Sequence, residues 1–402
     1  TQPDLYKAFE LTMYFQARLG YPPCSACPVS LLCDIVKKNE CYRGGTYITE
    51  GSPLYLHEYH PKSQLVVEEH IVLKPKFPAI DVHGHFGSIY SDLWLDEFNR
   101  SARPDLDETV EMLRRNGIKR VVNLDGFWDG FMGMTTDRVL DSLRRYEDFF
   151  INFVSVDTDR AKDNGFESYV RKHLKESREK GFRGIKLFKH VSIMVKGEDG
   201  KYIPGRNIPV DDPRLAVIWE TAAELDMPVL IHIGDPAAFF EPVDGSNERY
   251  EELVGHPDWQ FHKPGMYTFQ ELMEMQKKLL ANNPDTTFIV AHVGSHPENL
   301  GFVGSCLDMY PNMYVDIAER INELGRQPYT SRKFFHKYQD RILFGTDAYP
   351  WGMDYRYPVY FRFLETWDEY FPVYGRWNIY GKGLEDEILE KIYYKNAERV
   401  LK

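Results

Sequence analysis

Past residue 75 the chain settles into a regular alternation of short apolar runs and longer amphipathic ones. Eight runs have strand length and nearly continuous apolar character: 79–83, 120–124, 150–156, 184–188, 228–233, 287–292, 313–317 and 342–345. Runs of this kind suit strands buried on both faces, as in a parallel sheet covered by helices. Between them, apolar residues recur at helical spacing over 106–116, 136–146, 166–180, 213–226, 269–282, 297–310 and 328–338. Several of these segments open on Pro or an acidic residue and close near Gly or Asn, as helices tend to. Strand then helix, repeated eight times, predicts an α/β fold, a (β/α)8 TIM-like barrel over residues 76–402. On periodicity alone a doubly wound sheet is the alternative. No G-x-G-x-x-G follows the first strand and no G-x4-G-K-[ST] occurs, so a nucleotide-binding sheet loses ground.

Three stretches break the rhythm. A Pro-, Gly- and His-rich segment, 234–265, separates the fifth strand from the next helix, and a loop of that length is expected to be a lid or substrate loop over the barrel mouth. The aromatic segment 355–377 is expected to pack the eighth helix. Residues 386–401 read as a closing helix with Ile388, Leu389, Ile392, Tyr393, Ala397 and Val400 on one face. Residues 1–75 differ from all of this and are expected to form an N-terminal, cysteine-containing extension. After an amphipathic stretch at 5–19 come Cys24, Cys27, Cys33 and Cys41, spaced C-x2-C-x5-C-x7-C, with Cys306 the remaining cysteine. Two disulfides, a structural zinc site, an iron–sulfur cluster and free thiols are all readings of that spacing. Residues 24–33 resemble the C-x2-C-P-V-x3-C run of WhiB-type iron–sulfur proteins, a likeness confined to those ten positions.

Composition narrows the class. With 402 residues, 43% hydrophobic and 27% charged, the chain has a globular balance, and its apolar runs fall short of the ~20 residues a membrane span requires. A net charge of −12 argues against a nucleic-acid surface. The expected partner is a small-molecule substrate, and the expected assembly a homo-oligomer. No secretory signal pattern shows, and the start at Thr1 leaves the compartment open. Cytoplasm is favoured if the N-terminal cysteines bind metal, an extracytoplasmic site if they form disulfides.

Chemistry concentrates where the strands end. The first strand runs into His83-Gly84-His85; the fourth is Gly184-Ile185-Lys186-Leu187-Phe188; the fifth ends at His232, the sixth at His292, and the eighth at Gly345-Thr346-Asp347. In a parallel barrel these ends share one face, where catalytic residues gather. Any one His is an ordinary loop or core residue, but histidines and an aspartate ending four strands of one barrel point to a metal site.

The set D-x-H-x-H, the strand-five and strand-six histidines and G-T-D resembles the amidohydrolase superfamily. It resembles in particular the amidohydrolase-2 branch, which includes aminocarboxymuconate-semialdehyde decarboxylase and related nonoxidative decarboxylases. The likeness spans 74–401 and leaves the cysteine segment out. It implies that His83, His85, His232 and Asp347 hold one divalent metal, zinc foremost and manganese as the other choice. It implies further that His292 and Asp347 act as acid or base beside an activated water. Three imidazoles and a carboxylate leave a coordination position open, as catalysis requires. Lys186 has three readings: a carboxylated bridge to a second metal, as in two-metal members, a substrate-carboxylate ligand, or an outward-facing lysine. Asp81 is a second-layer support or anchor, and Arg320 a partner for an anionic substrate. Asp125, Trp128, His190, Asp235, His256, His262, His296 and Glu319 read as structural. The expected function is hydrolysis of an amide, ester or lactone of a small carboxylate-bearing substrate, favoured because the strand-four sequence resembles hydrolase members. The alternative is nonoxidative decarboxylation of an unsaturated or aromatic acid. A different class, a non-catalytic or redox-linked subunit working through the cysteines, is disfavoured by the intact metal set.

Overall fold

The computed structural model describes residues 62–87, 104–126, 136–198, 202–350, 352–373 and 377–402. The expected helix at 5–19, Cys24, Cys27, Cys33, Cys41 and Trp128 lie outside the described residues. Eight strands, β1 (Ala79–Gly84), β2 (Ile118–Gly126), β3 (Phe150–Val154), β4 (Gly184–Leu187), β5 (Val229–Ile231), β6 (Phe288–Val290), β7 (Met313–Asp316) and β8 (Ile342–Leu343), form one sheet in chain order. Every neighbouring pair is parallel. Helices α1 (Leu106–Arg115), α2 (Thr136–Leu143), α3 (Phe166–Lys180), α4 (Ala216–Glu224), α5 (Phe269–Asn282), α6 (Leu300–Met309), α7 (Pro328–Lys337) and α8 (Met353–Glu365) follow the strands one by one.

Local chemistry explains the helix limits. Asp105 caps α1 by accepting from the Asp107 and Glu108 amides, and Thr268 with Glu271 forms a reciprocal capping box at α5. Gly181, at φ 111°, ends α3 in the left-handed region that costs glycine least. Two apolar layers result. Ile80, Val82, Val122, Leu124, Ile151, Phe153, Leu230, Ile289 and Leu343 fill the barrel, while residues of opposite parity, such as Val121, Ile185 and Val229, pack under the helices. The final segment is helical but not uniform: Asp386–Glu390 and Asn396–Val400 flank a wider π-helical turn, Lys391–Lys395, and the Ile392 carbonyl accepts from the Phe344 amide. No helix among the described residues is long and apolar enough to cross a membrane.

β8 closes the ring onto β1. The Val82 amide donates to the Phe344 carbonyl at 2.9 Å, the His85 amide to Ala348 at 2.8 Å, and Gly84 bridges Ala348. The seam is fastened by Asp81, whose side chain is fully buried. Its Oδ1 accepts from the His83 and Thr346 amides, and its Oδ2 from the Thr346 hydroxyl and the Tyr357 hydroxyl of α8. Burial pushes the Asp81 carboxyl up to about 6 against those donors. A register irregularity between Asp81 and Gly84 lets the strand turn Asp81 toward α8 and His83 toward the mouth.

Two stability predictions follow from this packing. Tyr357→Phe should lower the unfolding free energy by about 1.5–3 kcal/mol, the worth of one hydrogen bond to a charged group, as read by urea unfolding. An unchanged midpoint would remove Tyr357 from the latch. Lys382 is buried over the Phe363 ring with no acceptor for Nζ, and burial pushes its amine down to about 7. The unfolded chain therefore binds more protons than the folded one between pH 7 and the ordinary lysine pKa, so this group's penalty fades as pH rises through that window. Lys382→Met should raise the melting temperature most near pH 7 and progressively less toward pH 10.

Candidate metal centre

The site residues gather at the C-terminal ends of β1, β2, β4, β5, β6, β7 and β8, and buried carboxylates fix how the first two imidazoles stand. His83 Nδ1 pairs with Asp316 Oδ2 at 2.8 Å, and His85 Nδ1 with Asp125 Oδ1 at 2.6 Å. A carboxylate on Nδ1 holds a proton there and aims Nε2 toward Asp347. Burial keeps the His83 ring neutral with its Nε2 lone pair and opposes charge on His85, where Asp125 and Asp347 nonetheless favour a second proton that a bound cation would displace. Both Nε2 atoms face Asp347 Oδ1, at 3.6 Å from His83 and 3.2 Å from His85. Ligand atoms of His83, His85 and Asp347 all lie within 4.8 Å of one another. Tyr349 stacks on the His85 ring at 5.1 Å. Gly345 allows the close approach: a Cβ there would stand 3.2 Å from His83 Cβ and 3.1 Å from Asp316 Cβ.

His83, His292 and Asp316 also gather within the same distance, but Asp316 has its oxygens committed. Besides His83, it accepts from the His292 amide at 2.8 Å and the Ala318 amide at 3.1 Å. That second group is a support for the first. It also explains a departure from the expected strand, which stops at Val290 instead of running through His292. His292 and Val293 take φ of 57°, turning the His292 amide to Asp316 and its Nδ1 to the Ala318 carbonyl at 2.9 Å.

His232 joins the cluster through His292, with ring centroids 4.3 Å apart, and its Nε2 lies 3.3 Å from Asp235 Oδ1. Lys186 is 1% exposed and its Nζ is 3.5 Å from His83 Nε2, so the outward-facing reading is ruled out. Burial pushes the Lys186 amine down to about 8 against the pull of Asp347, Asp316 and Asp125. Arg320, placed just after β7, is buried on the same face. Among the residues read as structural, Asp125 supports His85 and Asp235 pairs with Lys189 at 2.6 Å beside His232. His256 stacks on Trp259, His262 bonds the Phe240 carbonyl and His296 reaches Glu298. Glu319 pairs with Arg356, and His190 packs on Tyr202.

The segment expected to be a lid is a packed wall. It folds into short helical pieces, Ala237–Phe240, Tyr250–Gly255 and Pro257–Trp259, and buries Phe239, Phe240, Leu253 and Phe261. Ion pairs of Lys189 with Asp235, Arg249 with Glu323 and Arg326 with Glu248 fasten it to the strand-four and strand-seven sides.

The donor set fits a divalent cation. Among the described residues His292 Nε2 is buried without a hydrogen-bond partner, and Asp347 Oδ1 and His232 Nε2 have only imidazole–carboxylate neighbours, His85 Nε2 at 3.2 Å and Asp235 Oδ1 at 3.3 Å. Burial works against charge on His85, yet Asp125 and Asp347 on its two sides raise it to about 9; burial likewise opposes the Asp347 charge, and His83 and His85 hold that carboxyl well below its usual range. Such a site attracts positive charge between its imidazoles and its carboxylate. Asp316 was not singled out in the sequence. The available signal was an acid ending the apolar run Met313-Tyr314-Val315-Asp316.

Comparison with known proteins agrees with the geometry. A family profile described as Amidohydrolase matches residues 80–402, and the chain belongs to that family of metal-dependent enzymes. Among solved structures, it is similar to 2,6-dihydroxybenzoate decarboxylase from Rhizobium, with 16% identity, a TM-score of 0.50, and 81% of this chain and 98% of that one covered. It is also similar to a Staphylococcus aureus protein classed as an amidohydrolase, with 17% identity, a TM-score of 0.51, and 80% and 99% covered. These likenesses are of fold. No curated protein matches the sequence.

The centre makes one firm demand. His83→Ala should lose the barrel metal, read by elemental analysis of zinc, manganese and iron per chain, while leaving any cysteine-bound metal in place. Equal metal content in wild type and variant would overturn the ligand assignment. Asp316→Asn should weaken metal binding by about 10–100-fold, the usual effect of removing a histidine's carboxylate support.

Proposed function

We propose that this chain is a metal-dependent hydrolase acting on an amide, ester or lactone of a small acid, with the cation held by His83, His85, His232 and Asp347. Zinc suits three imidazoles and one carboxylate best, with manganese the other candidate. A divalent cation held there supplies Lewis acidity to an oxygen of substrate or water. Asp347 is the base placed to take a proton from an attacking water, because its Oδ1 faces the two imidazoles and accepts from no amide or hydroxyl of the described residues. Lys186 either orients a substrate carboxylate or, once carboxylated, bridges to a second cation; its depth beside His83 supports both.

The observation that carries hydrolysis over decarboxylation is the tautomer of His292. Its Nδ1 faces a carbonyl oxygen, which only accepts, so the ring proton resides on Nδ1 and the free Nε2 is an acceptor. A hydrolytic step uses such a group to take or relay a proton. A decarboxylation needs a donor aimed at the carbon that loses the carboxylate. Resting His292 Nε2 and ionised Asp347 carry no proton to give, which leaves the Lys186 ammonium as the donor that alternative would require. The fold likeness to a decarboxylase does not bear on this choice.

The test is a panel of carboxylate-bearing lactones, esters and amides beside 2,6-dihydroxybenzoate, given to protein loaded with zinc or manganese. Acid release and carbon dioxide release are read in parallel. Hydrolysis is the expected outcome, with His292→Asn lowering kcat by about 10²–10⁴-fold. Carbon dioxide release without hydrolysis would replace this reading with the decarboxylase. The metal count of Lys186→Ala decides the lysine's part: a fall from about two per chain to one supports the bridge, and a count of one in both supports substrate binding.

A further inference from the structure

Two arginines are buried among the described residues, and their surroundings differ. Arg249 lies between Glu252 and Glu323 and is in ion-pair contact with both. Arg320 is 7% exposed and makes no ion pair with a described residue. Glu298 is near enough to feel its charge, but that carboxylate accepts from the Ala237 amide and faces His296. Its Nη1 donates to the adjacent Glu319 carbonyl at 2.8 Å, and its Nε is buried with no acceptor. The Glu319 carboxylate, the nearest in sequence, is already engaged by Arg356. An unpaired buried charge is costly to hold. Lysine can escape that cost by losing its proton, as burial favours for Lys382, but a guanidinium stays charged. Among the described residues no carboxylate is bonded to Arg320, and its charge is open to an anion from outside the chain.

Its place in the fold says which anion. Arg320 follows β7 on the face where the strand ends gather, two residues after Ala318, whose carbonyl orients His292. The same short turn thus carries the support of His292 and the unpaired guanidinium. We infer that Arg320 is the specificity-determining residue of the barrel mouth, binding a carboxylate of the substrate away from the bond that reacts. A guanidinium presents its donors as a planar fork matched to the two oxygens of a carboxylate, and a site built to meet a charged group rejects the neutral isostere. The location beside the reacting centre rests on the metal-hydrolase reading, but anion binding by Arg320 does not require the metal.

The experiment uses full-length protein stripped of metal by a chelator, with stripping confirmed by elemental analysis, and benzoate and benzamide as matched charged and neutral probes. Wild type, Arg320→Gln and Arg320→Lys are compared by titration calorimetry and thermal melting. Wild type should bind benzoate more tightly than benzamide. Arg320→Gln should weaken benzoate by at least tenfold and leave benzamide unchanged, while Arg320→Lys should recover part of the loss. Without ligand, Arg320→Gln should melt at or above the wild-type temperature, because an uncompensated charge has gone. Benzoate binding equal to wild type in Arg320→Gln would overturn the inference. So would a clear drop in its ligand-free melting temperature, which would mark a structural arginine. Metal content of the untreated variants keeps the two readings apart. Loss of anion binding with normal metal content bears on Arg320 alone, and loss of metal in His83→Ala bears on the centre alone.

Discussion

One hydrogen bond organises the catalytic face: the one between His83 Nδ1 and Asp316. An imidazole can present either nitrogen, and a free ring would rotate between the choices. With Nδ1 held on a buried carboxylate, the lone pair of Nε2 has one direction left, toward Asp347. The same carboxylate accepts the His292 amide, which requires the chain to enter the left-handed region at two residues that are not glycine. Backbone strain of that kind persists only where surrounding bonds over-determine it. Here the Ala318 carbonyl on the other side of the His292 ring supplies the second constraint. Asp316 therefore sets the aim of one proposed strand-one ligand and the conformation of the proposed strand-six base together.

The electrostatic state of the cluster shows what the arrangement is for. Asp81, Asp125 and Asp316 are fully buried, and each is satisfied by hydrogen bonds from this chain. Asp347 differs, because its Oδ1 accepts from no amide or hydroxyl of the described residues and faces two imidazole nitrogens instead. In a dry interior an unmet carboxylate oxygen is expensive, and a cation between it and the imidazoles would meet it at once. Lys186, at 3.5 Å from His83 Nε2, brings positive charge to the same place. Metal binding at this centre displaces a balance that the chain strikes with its own groups.

Much of this was legible in the sequence. The eight strands and their helices appear as alternating runs because each strand is buried on both faces and each helix on one. His83, His85, Lys186, His232, His292 and Asp347 could be placed because strand ends in a parallel barrel share a face. The expected partners of the rings were less visible. Asp316 and Asp125 look like any acid near a strand end, and their importance arises from which imidazole nitrogen they reach. The turn at His292 was hidden for a related reason: the apolar pattern continues through Val293, and a distant carboxylate, not local propensity, ends the strand. The segment 234–265 reads as a lid from its length and polarity, but its four buried apolar residues, Phe239, Phe240, Leu253 and Phe261, carry no period that announces a packed wall.

Asp81 ties these lessons to stability. It was read as a support on the same face as His83, and the structure gives it the seam of the barrel, where it holds the Thr346 amide and hydroxyl, the His83 amide and the Tyr357 hydroxyl. Two of those residues flank or carry proposed metal ligands: His83 itself, and Thr346 immediately before Asp347. The bonds that close strand eight onto strand one are thus the bonds that set the distance between Asp347 and the His83–His85 pair. A change that loosens the seam should therefore disturb the metal site before it unfolds the barrel, since a shift of a few tenths of an ångström matters more to coordination than to apolar packing. In this fold, closing the barrel and assembling the centre are one structural event.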